Sequence, residues 1–348
     1  MAAAIEVIGV ISGLLGIVSF AQDNFGEVDT TTSSVKITVG LDVSGGLDNA
    51  GGSMPDVRLF NEAGGFIGIN NKGDSITDGS TGEVKITHED SSNGQQATYA
   101  LLSANNDAIC IAYMTMTWAN GDQYGWVGDW GSECGATWYY SNVYVQGTSY
   151  KPNCMWIDAN GDQPQTGFQI HWPEFVLEDG DAVDPDGTKR DYLCNSGAPF
   201  KTYTEPDPDT ITFWTINNKR AEVAQSTAPA RRQKSWTPRG HGRSHVVARN
   251  ESSFEPSATN PFANHLVLDN DPEHTTATLC ESGSSVGPDF VNQAEGQFCR
   301  MSDKTLWPIC SDEIQDGCFG AESQQLIQGG LATRDSPYTV VTDWTEGN

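Results

Sequence analysis

From Val35 onward the chain alternates apolar and polar residues over short spans, the period-two signature of strands with one buried face. Val35-Lys36-Ile37-Thr38-Val39 is the first such run, and Val57–Phe60, Val84–Thr87, Thr98–Leu102 and Ile109–Thr117 repeat the rhythm. Gly45-Gly46, Gly51-Gly52, Gly64-Gly65 and Asn120-Gly121 fall between the runs, where hairpins and loops need backbone freedom. Trp126, Trp130, Trp138, Tyr139, Tyr140 and Tyr144 crowd the stretch that follows. The pattern predicts a β-sandwich lobe over residues 27–218.

The ends of the chain break this rhythm. Val7 to Ala21 is an unbroken apolar stretch within residues 1–26, too short for a comfortable bilayer span. Two readings stand for it. One is a signal-peptide core, with Ser19-Phe20-Ala21 before Gln22 meeting the small-x-small cleavage rule, although Glu6 stands where a basic residue belongs. The other is a retained helix, because Gly9, Gly13 and Gly16 fall near one helical face; residues 5–21 would then pack into the protein's own core, or serve self-association or membrane contact. After residue 260 the pattern is mixed. His265–Leu268 and Thr339–Trp344 predict strands, Asp271-Pro272-Glu273-His274 a helix start, and Pro288 to Cys299 and Phe319 to Ile327 two helices. The expected fold class is mainly β: a β-sandwich first lobe with a small, disulfide-stapled α+β second lobe at 261–348.

Charge divides the chain at the same place. The formal net charge is −27, yet Lys219, Arg220, Arg231, Arg232, Lys234, Arg239, Arg243 and Arg249 cluster with a single acid, Glu222. That segment carries +7 and leaves −34 for the rest. Residues 219–260 therefore read as a basic linker, and the acidic remainder argues against a nucleic-acid partner or an anionic membrane surface. Cysteines repeat the division: Cys110, Cys134, Cys154 and Cys194 precede the linker, and Cys280, Cys299, Cys310 and Cys318 follow it. Two disulfides per lobe are expected, with three connectivities open in each, and with them an oxidising, extracellular setting. No CxxC is present for redox chemistry or a zinc knuckle.

Two blocks, Pro55-Asp56-Val57-Arg58-Leu59-Phe60 through Trp156-Ile157-Asp158-Ala159-Asn160-Gly161-Asp162, and Gly287-Pro288-Asp289-Phe290-Val291 with Trp307-Pro308-Ile309-Cys310, resemble uncharacterised exported proteins of filamentous fungi. The resemblance covers about half the chain and implies a fungal source and a two-lobed layout. It brings no catalytic residues. The strand rhythm of the first lobe also resembles, more faintly, lipid- or partner-binding sandwiches of the PLAT/C2 kind.

Candidate chemistry is sparse. Asp158, Asn160 and Asp162 have the D-x-N-x-D spacing that opens a calcium loop, but Gln163 replaces the sixth-position Gly and Gln169 the bidentate Glu. Asp179, Asp181, Asp184 and Asp186 form a second acidic turn; solvated turn carboxylates are the plain alternative at both places. Calcium is the only cofactor these motifs suggest. Lys219-Arg220 and Arg231-Arg232 match the dibasic sites of processing proteases, as does Lys189-Arg190 just before Cys194. His241 and His245 lie among cations without the Glu of HExxH, and Asn250 opens an N-glycosylation sequon. No nucleophile elbow, P-loop, dinucleotide fingerprint or zinc-protease motif occurs, so no catalytic residue is assigned. Three functions remain in view: a non-enzymatic exported effector, structural or toxin-like, matured by cleavage of its linker; a carbohydrate- or lipid-binding module using the aromatic stretch; and a carboxylate-based hydrolase.

Overall fold

The computed structural model describes residues 4–11, 13–40, 50–89, 94–177, 182–214, 221–225, 262–332 and 338–345. The alternating runs become two facing antiparallel sheets. One has six strands: Trp138–Tyr140, Asn153–Ile157, Ile109–Thr117, Thr32–Val39 and Thr81–Thr87 in spatial order, with Gln123–Val127 also paired to Ile109–Thr117. The other has five, ordered Phe200–Tyr203, Gly167–His171, Tyr99–Ser103, Asp56–Phe60 and Phe66–Asn70. Side-chain alternation then decides what each sheet buries. Val35, Ile37, Met114 and Met116 from the first meet Val57, Leu59, Ala100 and Leu102 from the second in one core. The intervening Phe60, Tyr99 and Leu101 point to the outer face of the five-stranded sheet, where Tyr203 and Ile211 cover them.

The N-terminal stretch is a β-hairpin, which corrects the helical reading. Ile5–Ile11 pairs with Leu14–Phe20, with Gly9 opposite Gly16 and Gly13 at φ 78° in the turn. The glycines thus serve a hairpin: a Cβ on Gly9 would come within 2.7 Å of Val18 Cγ2. Trp130 donates to the Ile8 carbonyl at 2.9 Å, and Leu177 N–H to that of Glu6 at 3.0 Å. Val7, Ile8, Val18 and Phe20 are buried, each contributing about 1.5–3 kcal/mol. Cleavage after Ala21 would remove all four from the core.

The second lobe is more β-rich than its sequence predicts. His265–Asp269 lies between Asp289–Asn292 and Val340–Asp343 as parallel neighbours, and Gln297–Arg300 and Thr305–Pro308 extend the sheet by hairpins. The helix expected over Pro288–Cys299 is therefore a hairpin, as is that over Phe319–Ile327, where Cys318–Gly320 pairs with Gln325–Gln328. Among the described residues of this lobe one helix forms, Thr276–Glu281, five residues beyond Asp271 and capped by the Thr275 side chain. Asp271 instead accepts the Glu273 N–H in a turn.

The four disulfides are Cys110–Cys154, Cys134–Cys194, Cys280–Cys299 and Cys310–Cys318, two in each lobe and none between them. The first lobe reaches past the expected boundary at 218, because Ala221–Gln225 pairs with Thr210–Trp214. Among the described residues no helix is long and apolar enough to cross a membrane.

Candidate functional site

Three of the places where polar or ionisable groups gather inside the fold bear on function. The first lies at one end of the five-stranded sheet. His171 closes the strand Gly167–His171; Glu174 follows in the short turn Trp172–Phe175; Glu62 comes from the turn after Asp56–Phe60. His171 Nε2 is 2.7 Å from Glu62 Oε2, and Nδ1 is 3.8 Å from Glu174 Oε1, while the Tyr99 ring stacks on the imidazole at 4.2 Å. Tyr192 donates to Glu174 at 2.7 Å, and Lys189 approaches it at 3.5 Å. Burial works to raise the Glu174 carboxyl, yet His171, Tyr192 and Lys189 together bring it down to about 2. The His171 hydrogen bond holds Glu62 low, and the two carboxylates raise His171 against its own burial. Lys189 and Tyr192 also line a surface cavity of about 550 Å³ with Val176, Leu177, Val183 and Pro185. Acid–base catalysis needs paired groups whose pKa values are driven apart toward the working pH. Here both carboxylates are stabilised as anions and the imidazole as a cation, the arrangement of an ion-pair clamp between two turns.

The second place is the loop after Asn153–Ile157. Asp158 Oδ2 accepts the backbone N–H groups of Asn160 (3.1 Å), Gly161 (2.7 Å), Asp162 (2.7 Å) and Gln163 (3.4 Å). Asn160 Oδ1 also accepts the Asp162 N–H at 3.1 Å. The D-x-N-x-D residues are thus brought together in one tight loop, in which Gly161 stands at φ 100°. Gln169 is elsewhere: it lies inside the five-stranded sheet, bonded to Ala198, Tyr203 and Thr212. The second acidic turn is different in kind. Asp184 accepts the Lys189 N–H and Asp186 the Thr188 N–H and hydroxyl, so both carboxylates shape the start of helix Lys189–Asn195. Asp179 and Asp181 lie outside the described residues. Among the described residues no three His, Cys, Asp or Glu side chains converge as a metal site; the loop offers two Asp and one Asn.

The third place is the seam between the lobes, which holds Trp138, Tyr139 and Tyr140 of the aromatic stretch, while Trp126 and Trp130 pack within the first lobe. Trp126, Trp130, Trp138, Tyr139 and Tyr140 are all buried, and of the six only Tyr144 is exposed, with Lys151 over its ring. A ligand platform on this stretch is corrected accordingly: it is core. Trp138–Tyr140 is the edge strand of the six-stranded sheet, and the second lobe adds to that edge. Trp138 N–H donates to the Ser284 carbonyl at 3.2 Å, and Val286 N–H to that of Trp138 at 2.9 Å. Tyr139, Tyr140 and Trp156 donate across the seam to the carbonyls of Pro288, Thr275 and Val286, and Lys151 pairs with Asp271 at 3.0 Å. His274, stacked on Tyr140, is bonded to the fully buried Asp269 at 2.5 Å.

Lys189-Arg190 opens a helix, and Arg190 pairs with Glu133 at 3.0 Å. Lys219, Arg220, Arg231, Arg232, His241, His245 and Asn250 lie outside the described residues. Sequence reading missed the Glu62–His171–Glu174 clamp and the His274–Asp269 pair. The first joins residues 109 apart in sequence, so no local motif marks it. The chain matches no protein-family model and no curated protein sequence.

Proposed function

We propose that this chain is a non-enzymatic exported protein, a fungal effector of structural or toxin-like kind, matured by cleavage in the basic segment between its lobes. The observation that carries the reading is the seam. The second lobe is held by backbone pairing to the Trp138–Tyr140 edge and by a continuous core in which Tyr139 and Tyr140 pack on Phe290, and Trp156 on Phe262. No disulfide crosses it. A cut after Arg220 or Arg232 therefore leaves two chains bound by the same contacts, each keeping its own staples. The four disulfides fit an oxidising, extracellular setting, and the clamp around His171 has the charges of a structural ion pair.

Material from the native source is expected to run as one band on a non-denaturing gel and as two chains on a denaturing, non-reducing gel. Replacing Lys219-Arg220 and Arg231-Arg232 by Ala-Ala should leave a single chain of unchanged thermal stability. Native material running as one uncut chain overturns the maturation step.

A further inference from the structure

We propose that the loop Asp158–Gln163 binds a calcium ion and that the ion ties together two crossings between the sheets of the sandwich. The inference is independent of the reading of the seam. Its first support is an oxygen without a partner. Asp158 is fully buried, and while Oδ2 collects the loop amides, Oδ1 of the same carboxylate has no hydrogen-bond donor and no contact with solvent. The Gln163 Oε1 carbonyl, also buried, lacks a donor as well. Buried polar atoms are nearly always satisfied, and an ionised oxygen left bare is costly. Oδ2 already takes the loop amides, so Oδ1 is the oxygen of Asp158 left for a cation.

The donor set selects which cation. Asp158, Asn160 and Asp162 supply hard oxygens at positions one, three and five of the loop, with neither sulfur nor imidazole among them. Asn160 Nδ2 is turned away to the Asn106 carbonyl at 2.6 Å, which leaves the amide oxygen on the loop side, where it meets the Asp162 N–H. Asn160, Gly161 and Asp162 are exposed, so an ion has a way in. The bidentate Glu of a high-affinity loop is missing, because Gln169 is committed to the sheet. The affinity expected is that of extracellular modules, a dissociation constant of about 10⁻⁴–10⁻³ M.

The placement gives the ion a task. Asp158 follows the strand Asn153–Ile157 of the six-stranded sheet, and the chain then crosses to Gly167–His171 of the five-stranded sheet. The loop rests on a second crossing, from Tyr99–Ser103 to Ile109–Thr117: Ala159 N–H donates to the Asn105 carbonyl at 3.0 Å, beside the Asn160–Asn106 bond. An ion at Asp158 fixes both.

The test is calorimetric titration of the chelator-treated full chain with calcium chloride, paired with thermal unfolding. One site per chain is expected, with a melting temperature that rises as calcium is added. Asp162→Asn should weaken binding about tenfold, and Asn160→Asp, which adds a ligand charge, should tighten it. Asp186→Asn, in the turn that only shapes a helix, should leave it unchanged. No heat and no thermal shift up to about ten times the expected dissociation constant overturns the proposal. So does binding that Asp162→Asn and Asn160→Asp leave untouched, which would place the ion elsewhere on the acidic surface. A carbonyl stretch showing Asp158 protonated at neutral pH in the calcium-free chain, with no effect of added calcium, assigns a proton to Oδ1 and overturns it as well.

Discussion

The two lobes reach a buried core by different routes. The sandwich closes on itself: each sheet gives alternate side chains to a shared interior, and the N-terminal hairpin adds Val7, Ile8, Val18 and Phe20 to it. The second lobe has only a small cluster of its own, built on Leu266, Val291, Phe298, Phe319, Leu326 and Tyr338. Phe262, Val267, Leu279, Phe290, Met301 and Trp344 of this lobe belong instead to the sandwich core. A segment of about 85 residues is close to the size at which a single core stops being sufficient, and staples or a partner make up the deficit. This lobe has both, two disulfides and the sheet edge. The difference teaches that the joint in the charge pattern is not a joint in the packing.

The sharpest way to break the comparison is at Tyr139. Its ring packs against Gly287, where a Cβ would come within 2.3 Å of it, and its hydroxyl donates to the Pro288 carbonyl at 3.0 Å. Tyr139→Ala should cost about 3–5 kcal/mol, the range for deleting a buried aromatic, and the loss should fall on the second lobe. Hydrogen exchange is the measurement: amides of His265–Asp269 and Asp289–Asn292 should lose protection while those of Ile109–Thr117 keep theirs. Equal loss in both lobes would mean that the sandwich depends on its partner as much as the reverse.

How much of this was legible in the sequence follows from the same contrast. The five runs read from the sandwich are all strands, of five to nine residues, long enough for alternation to register. In the second lobe the strands over 289–328 are only three or four residues long. At that length Phe290, Val291, Ala294 and Phe298 fit a helical face as well as they fit two strands around a turn. Gly296, at φ 67°, was the punctuation that favours the turn. The N-terminal glycines misled for a related reason, since positions 9 and 16 can share a helical face or face each other across a hairpin. Cysteine parity was readable because it needs no geometry. The calcium-type loop was readable as spacing, whereas the bare oxygen of Asp158 needed coordinates.

A second test compares the staples. Cys110–Cys154 closes 44 residues and joins neighbouring strands in the sandwich core, whereas Cys310–Cys318 closes 8 in the smaller lobe. Chain-entropy loss in the unfolded state scales with the logarithm of loop length, giving about 4 kcal/mol for the first and about 2.5 for the second. Paired Cys→Ser variants, measured by denaturant unfolding, should keep that order. A larger loss at Cys310–Cys318 would show that the second lobe leans on its staples more than on the seam.

The smallest effect expected belongs to the sandwich and turns on a single proton. Asp129 is buried beneath the hairpin, and burial pushes its carboxyl up to about 7. Tyr150 stands 2.6 Å from Asp129 Oδ2 and 3.0 Å from the Val10 carbonyl. A tyrosine has one hydroxyl proton, and a carbonyl can only accept. With that proton given to Val10, the short contact to Asp129 is satisfied when the carboxyl itself donates to the tyrosine oxygen. The folded state therefore binds a proton that the unfolded chain releases near the ordinary aspartate value. The sign follows: a raised pKa in the folded state stabilises at low pH, and stability falls as pH rises toward about 7, by up to about 1.4 kcal/mol per unit. Asp129→Asn is permanently neutral, keeps two N–H donors for Tyr150 and should flatten the slope between about pH 5 and 7, a difference of about 2 kcal/mol across that window. Urea unfolding at a series of pH values measures it. Parallel pH profiles for the two proteins would mean that Asp129 is ionised in the fold, and that Tyr150 gives its proton to the carboxylate and leaves the hairpin carbonyl of Val10 without it.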